Sequence, residues 1–284
     1  MSAQLLDGKS LSKEIRQRLK ARVEQLSGQG VVPKLSTFVA SQDPASRTYV
    51  AMKRRWAEQI GIETEQFDVE PIVTQLQLEE EIERRNEDPA VQGILVQHPL
   101  PPHIDEDRVL ERLGARKDVD GFTPESLGRL AGGLPGFRCA TPLGMLTLLD
   151  HYQIPITGKR AVVVGRSRIV GKPAALMLLE ANATVTIAHS KTVELPALCR
   201  EADILVAAVG RPEFIKAEWV RPGAVVIDAG YNKVAWRDGD VGDVDFGPVS
   251  EVASWITPVP GGVGPMTVAS LLANVVQAAE QSLL

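Results

Sequence analysis

Short apolar runs alternate with longer amphipathic ones along this chain, and they do so twice, which leaves few folds open to it. In the first half Lys34–Ser41 reads as a strand on Leu35, Phe38 and Val39. A helix follows, with Asp43 as N-cap, Pro44 in its first turn and Gly61 closing it after about Ile60. Ile62–Val69 reads as a second strand, Gln75–Asn86 as an acidic amphipathic helix and Val91–Gln97 as the most strand-like segment of this half. Such a βαβαβ order implies a parallel sheet with helices on its faces.

The Gly-rich stretch Asp118–Gly136 reads as a connection or exposed loop. A helix from Pro142 to about Tyr152 then opens a second alternation: Lys159–Gly165, Ala174–Asn182, Thr184–Ser190, Val193–Ala202, Asp203–Gly210 and Ala224–Gly230. The expected fold class is therefore α/β, with two open parallel-sheet domains in 284 residues, at roughly 150 residues per domain. The expected domains are residues 1–140 and 141–267, with an apolar helix, Val268–Leu284, packing back on the first.

Charge and cysteine content narrow the partners. A net charge of −5 without a Lys/Arg-rich tract gives no general attraction for nucleic-acid phosphates. Only Cys139 and Cys199 are present, which fits a reducing cytoplasm and speaks against a cysteine zinc site. No run approaches the ~20 apolar residues of a membrane helix, so the expected setting is cytoplasmic.

In the second half Gly165 follows an all-apolar strand, and Gly171 and Pro173 stand at a helix start. Backbone N–H groups in such a turn, with the positive helix end, can cradle an anion. The familiar fingerprints fail, however: Ser167 and Val170 replace the second and third glycines of GxGxxG, and Arg166 and Pro173 break the Walker A pattern. A tight turn without a ligand stays open on spacing alone. The next strand ends in Ile187-Ala188-His189-Ser190-Lys191, with no acid where NAD enzymes bind the ribose hydroxyls. Arg166, Ser190 and Lys191 would welcome a 2′-phosphate that a carboxylate would repel, so NADP is the expected cofactor. His189 could bind there or simply pack.

In the first half Tyr49 and Lys53 share a helix face at i and i+4. On spacing alone a surface lysine beside a core tyrosine is the default, and the YxxxK analogy to short-chain dehydrogenases fails because the pair precedes the glycine turn. Gln97 lies at the carboxyl end of the third strand, where open α/β sheets bind ligands, and KDVDGF (117–122) follows one helix later. His98 and His103 lack an acidic or histidine partner at helical spacing nearby, so no metal is expected.

Together these segments resemble the bifunctional methylenetetrahydrofolate dehydrogenase/cyclohydrolase (FolD) family over almost the whole chain. The resemblance rests on DPASRTYVAMKRR (43–55), GILVQHPLPPHID (93–105), KDVDGFTPESLGRL (117–130), CATPLGMLTLL (139–149), VVVGRSRIVGKP (162–173), VTIAHSKT (185–192), VIDAGYN (226–232) and TPVPGGVGPMTVASLL (257–272). His98 departs from it, because the family usually carries an apolar residue there. The resemblance implies an N-terminal folate-binding catalytic domain, a C-terminal Rossmann-type NADP domain and a cleft between them. It implies oxidation of 5,10-methylenetetrahydrofolate with NADP+, then hydrolysis of the methenyl cation to 10-formyltetrahydrofolate in one-carbon metabolism. Lys53 matches the essential lysine of ring opening, Gln97 the residue that holds it, Tyr49 one that flanks the folate ring and Asp120 the carboxylate that binds the pterin. Gly262 and Pro265 should shape the substrate wall, and Gly165, Arg166, Ser167, Ser190 and Tyr231 fall on cofactor positions. A homodimer through the dinucleotide domains is also implied. The rival readings are a two-domain NADP dehydrogenase of the shikimate or amino-acid type and a nucleotide-sensing module without chemistry.

Overall fold

The computed structural model describes residues 2–40, 44–236 and 239–283, without the side chains of residues 44–46, 48 and 49. The chain forms two compact units, one of residues 1–12 and 139–270, the other of residues 13–138 and 271–284. Residues 1–12 thus leave the expected first domain. The reason is a short strand, β1 (Gln4–Leu5), which pairs in parallel with the strand that holds Trp255 and Ile256. A helix absent from the sequence expectations follows, α1 (Gly8–Gly28), whose buried Leu11, Leu19, Val23 and Leu26 recur at helical spacing.

The unit of residues 13–138 contains the expected alternation. Its elements are β2 (Lys34–Val39), α2 (Pro44–Gln59), β3 (Glu63–Asp68), α3 (Gln75–Glu87), β4 (Gly93–Gln97), α4 (Glu106–Arg112) and α5 (Pro124–Ala131). The proposed N-cap Asp43 lies outside the described residues, whereas Gly61 does take the left-handed conformation beyond α2, at φ +90°. Helix α3 is fixed by a reciprocal capping box between Thr74 and Gln77. The strands are all parallel in the order β3-β2-β4. The chain leaves β2 for one neighbour and returns to the other, so the carboxyl ends of β2 and β4 form a topological switch point. Phe38, Leu78, Ile82 and Ile94 are fully buried beneath it, at ~1.5–3 kcal/mol for each such side chain.

Residues 131–136 form the exposed connection read from the glycines, but residues 118–130 do not. The Ile94 N–H donates to the Lys117 carbonyl at 2.8 Å, laying this segment along the outer edge of β4. Gly93 permits the approach, because a Cβ there would sit 2.8 Å from Val119. The buried Asp118 carboxylate accepts N–H bonds from Gly121 and Thr123 at 2.9 Å each. Thr123 then caps α5, with Pro124 in the first turn.

The other unit is doubly wound. After α6 (Ala140–His151) come β5 (Arg160–Val164), α7 (Gly171–Glu180), β6 (Thr184–Ala188), α8 (Leu195–Cys199), β7 (Ile204–Ala207) and β8 (Val225–Asp228). A hairpin of β9 (Asn232–Lys233) and β10 (Asp240–Val241), then α9 (Phe246–Ser250), β11 (Trp255–Ile256) and α10 (Val263–Gln281) complete the chain. The parallel sheet has the order β1-β11-β8-β7-β5-β6, with its switch point at the end of β5, between β6 and β7. Helix α10 starts at Val263, before the expected Val268, and only its residues from Leu271 onward belong with the unit of residues 13–138. Among the described residues no helix is long and apolar enough to cross a membrane.

Candidate functional site

Each switch point gathers residues singled out in the sequence, by different means. In the unit of residues 13–138, α2 leaves β2 and turns Lys53 inward, where the side chain is buried. Its Nζ donates to Gln97 Oε1 at 3.0 Å, at the end of β4. The other end of that amide is also committed: Gln97 Nε2 donates to the His98 carbonyl at 3.1 Å, so its oxygen must face the lysine. Burial pushes the Lys53 ammonium below the usual lysine range, against the opposing pull of Asp120. Asp120 arrives two residues past the point where its segment meets β4. Burial pushes its carboxyl up, while Lys53 draws it down. Lys53, Gln97 and Asp120 thus form one group, in which a buried amine and a half-buried carboxylate moderate each other. The Tyr49 side chain lies outside the described residues, although its backbone is in α2, one turn before Lys53.

Two neighbours went unread in the sequence. His98 was read only as a family departure and a rejected metal ligand, yet its Nδ1 meets Glu106, the first residue of α4, and its ring lies 5.0 Å from that of Phe122. Asp118 was passed over for Asp120, although a carboxylate just before a Thr-Pro helix start is a recognisable turn organiser. His103, weighed as a metal ligand, has its Nε2 2.8 Å from the Val73 carbonyl. Among the described residues no group of three or more His, Cys, Asp or Glu could hold a metal ion.

In the dinucleotide-type unit the site is shaped by backbone. Gly165 ends β5 at φ +136°, and a Cβ there would lie 2.1 Å from the Ala208 carbonyl oxygen. Gly171 admits α7 equally closely, since its Cβ would lie 2.4 Å from the Gly165 oxygen. Arg166, Ser167, Arg168 and Lys172 stand exposed around this turn. The expected cradle of helix N–H groups is modified: the N–H groups of Val170 and Gly171 already donate to Ser167 Oγ at 3.2 Å. An anion at this place would therefore rely more on side-chain cations than the sequence suggested.

The pairing of Val164 with Ala188 brings the end of β6 beside this turn, with Ser190 and Lys191 exposed on it. His189 is a turn organiser, its Nδ1 accepting the Lys191 N–H at 3.2 Å. Tyr231 follows β8, half-exposed, with its hydroxyl donating to Asp240. Its loop is held by two buried acids that sequence reasoning missed. Asp228 accepts N–H bonds from Gly230, Asp243 and Val244 at 2.8, 2.9 and 2.9 Å. Asp243 in turn accepts from Val209, Gly210 and Arg211 at 2.6, 2.8 and 2.9 Å, tying the loop after β7 to the segment that follows β10. Burial pushes the Asp228 carboxyl up to about 7. Gly262 is buried and accepts no side chain, a Cβ there falling 2.7 Å from the Pro258 oxygen, and Pro265 lies in the first turn of α10. Both belong to this unit and not to that of Lys53.

These arrangements have close counterparts. The family model described as tetrahydrofolate dehydrogenase/cyclohydrolase, catalytic domain, matches residues 6–120, and that for its NAD(P)-binding domain matches residues 139–283. The chain is 50% identical over 281 residues to the bifunctional protein FolD of Moorella thermoacetica, covering 99% of this chain and 100% of that one. The structure of the bifunctional methylenetetrahydrofolate dehydrogenase/cyclohydrolase FolD from Campylobacter jejuni superposes with a TM-score of 0.96 at 44% identity, over 99% of each chain. That of the Trypanosoma brucei enzyme, complexed with NADP cofactor and inhibitor, superposes with a TM-score of 0.95 at 37% identity, over 100% of this chain and 99% of that one.

Proposed function

The chain belongs to the tetrahydrofolate dehydrogenase/cyclohydrolase family, and from that premise we propose how its residues oxidise 5,10-methylenetetrahydrofolate with NADP+ and hydrolyse the methenyl product to 10-formyltetrahydrofolate. The observation that carries the assignment is the buried Lys53–Gln97 hydrogen bond beside Asp120. NADP+ fits the glycine turn, whose Cβ-free space at Gly165 and Gly171 lets backbone approach closely, and when bound it supplies the hydride acceptor. Gly165 and Ser167 shape that turn, and Arg166 and Ser190 present a cation and a hydroxyl to the 2′-phosphate. Tyr231 lies on the loop that Asp228 and Asp243 hold rigid, beside the nicotinamide end.

Hydrolysis needs a group that can lose and regain a proton near neutrality. Burial moves Lys53 in that direction, and a cationic methenyl substrate would favour the free amine further. Gln97 accepts from Nζ and fixes where the amine points. Lys53 then activates the attacking water and returns the proton during ring opening. Asp120 offers two acceptor oxygens to the amino and ring N–H groups of the pterin. Tyr49 flanks the folate ring by stacking, and Gly262 with Pro265 shapes the substrate wall.

The reading extends to assembly and setting. Strand β6 is an edge of its sheet and exposes Ile187, with Leu179 of α7 also exposed; these support a homodimer through the dinucleotide units. The buried Cys139 and Cys199, which form no disulfide, support a cytoplasmic placement. The activity is tested by mixing the protein with methylenetetrahydrofolate and NADP+ and following methenyl absorbance. A rise followed by decay faster than the uncatalysed rate is expected. No rise, with NADP bound, would overturn the assignment.

A further inference from the structure

His98 occupies a position next to the Lys53–Gln97 pair that a merely space-filling residue would not need. It follows Gln97 at the end of β4, and its own carbonyl holds the Gln97 amide in the orientation that faces Lys53. Its ring is clamped on two sides, by Glu106 at Nδ1 and by Phe122, which stands two residues beyond Asp120. The Nε2 atom is buried and has no hydrogen-bond partner among the described residues. Facing an ionised Glu106, Nδ1 carries the proton and Nε2 is left as a buried lone pair, a tautomer assigned here from the hydrogen-bond geometry. Glu106 itself is half-exposed. The charged groups around the imidazole are Glu106 on α4, Asp120 on the segment beside β4 and Lys53 on α2.

We propose that His98 and Glu106 are positioning residues of the Lys53 site, forming a chain from solvent through Glu106 and His98 to Asp120 and Lys53 along which the protonation of the buried lysine is coupled to the surface. The signs follow from the charges. An imidazolium at His98 disfavours an ammonium at Lys53 and favours a carboxylate at Asp120; Glu106 makes that imidazolium easier to form. Burial chiefly holds the imidazole below its ordinary range, with Lys53 adding to the effect and Glu106 and Asp120 opposing it. Coupling of this kind is reciprocal, so removing the lysine must change the histidine as much as the reverse.

The proposal rests on the ring-opening role given to Lys53, and its test therefore has a readout that needs no activity. The proton NMR titration of His98, identified among the four histidines by its loss in His98→Gln, is followed in the full-length protein. Glu106→Gln should lower its midpoint by half a pH unit or more, and Lys53→Met should raise it. A midpoint unmoved by Lys53→Met overturns the coupling, whatever the enzyme does. The companion measurement is the pH profile of cyclohydrolase kcat. Glu106→Gln should move its acid limb toward lower pH, and His98→Gln should displace the limb too, with the NADP Kd unchanged in both. Loss of kcat by the same factor at every pH would mean that His98 only supports packing, and would overturn the proposal. If His98 titrates as stated but wild-type protein opens no ring, the role of Lys53 fails while the coupling stands.

Discussion

The two switch points solve the same topological problem with opposite materials. At the ends of β2 and β4 the site consists of the buried Lys53 with the half-buried Gln97 and Asp120, and the protonation of Lys53 and Asp120 is set by desolvation and by each other. At the ends of β5 and β6 it consists of glycine backbone, with the charged and hydroxyl side chains left exposed. Proton transfer requires a tuned pKa, and tuning requires removal from water. Holding a phosphate requires close approach of backbone and mobile, solvated cations. The comparison predicts that the cofactor end fails through shape and the lysine end through chemistry.

The largest expected effect is on shape. Gly165→Val places side-chain atoms against the Ala208 carbonyl and forces a β-branched residue into a left-handed φ. Strain and overpacking together cost on the order of 3–6 kcal/mol, much of a domain's stability. Thermal unfolding should show an early transition and isothermal titration no NADP binding; a variant that melts with wild type would refute the backbone account. On the other side, Lys53→Met should leave the fold and NADP affinity nearly intact while ring opening falls about 10²- to 10⁴-fold. Retained cyclohydrolase activity in stopped-flow assays would break the contrast.

A third expectation concerns pH. Asp228 keeps its proton to about 7 in the folded chain against 3.8 as the ordinary value. The folded state therefore binds more protons than the unfolded chain across that window, and stability falls as pH rises through it. Between about pH 5 and 8 the loss should be roughly 1–3 kcal/mol, read as a decline in the denaturation midpoint. Asp228→Asn, which cannot ionise, should flatten that decline, although it loses one N–H acceptor; an equally steep decline would assign the pH dependence elsewhere.

Legibility in the sequence followed the same division. The strands and helices of both alternations were readable because burial imposes its period directly: Leu35, Phe38 and Ile94 mark the core whatever their partners. Gly165 was readable from its place after an all-apolar strand, whereas Lys53 was singled out by the family resemblance and not by its spacing from Tyr49. Long-range pairing was not, since nothing local tells Gln4 that it will meet Trp255. Residues 118–130 misled, unlike the exposed 131–136 that follow, because glycine content masks a turn that the Asp118 carboxylate organises through backbone donors. Asp228 and Asp243 were hidden for a like reason, their seven acceptor contacts going to groups scattered over three loops.

The smallest effect tests whether the exposed side chains at the cofactor end do any selecting. Ser190 stands at the end of β6 beside Arg166, with no carboxylate where a 2′-hydroxyl would be bound. A Ser190→Asp change adds a negative charge there without touching Gly165 or Gly171, so the cradle keeps its shape. Repulsion of a doubly charged 2′-phosphate across a few ångströms of partly solvated space is worth about 1–2 kcal/mol, or roughly tenfold or more in NADP affinity. NAD, which lacks that phosphate, should lose little and could gain a hydroxyl acceptor. The ratio of the two dissociation constants is the quantity to measure, at fixed ionic strength because the effect is screened. Equal losses for NADP and NAD would mean that residue 190 acts on backbone shape after all, and the division between a site made of backbone and one made of charge would no longer hold.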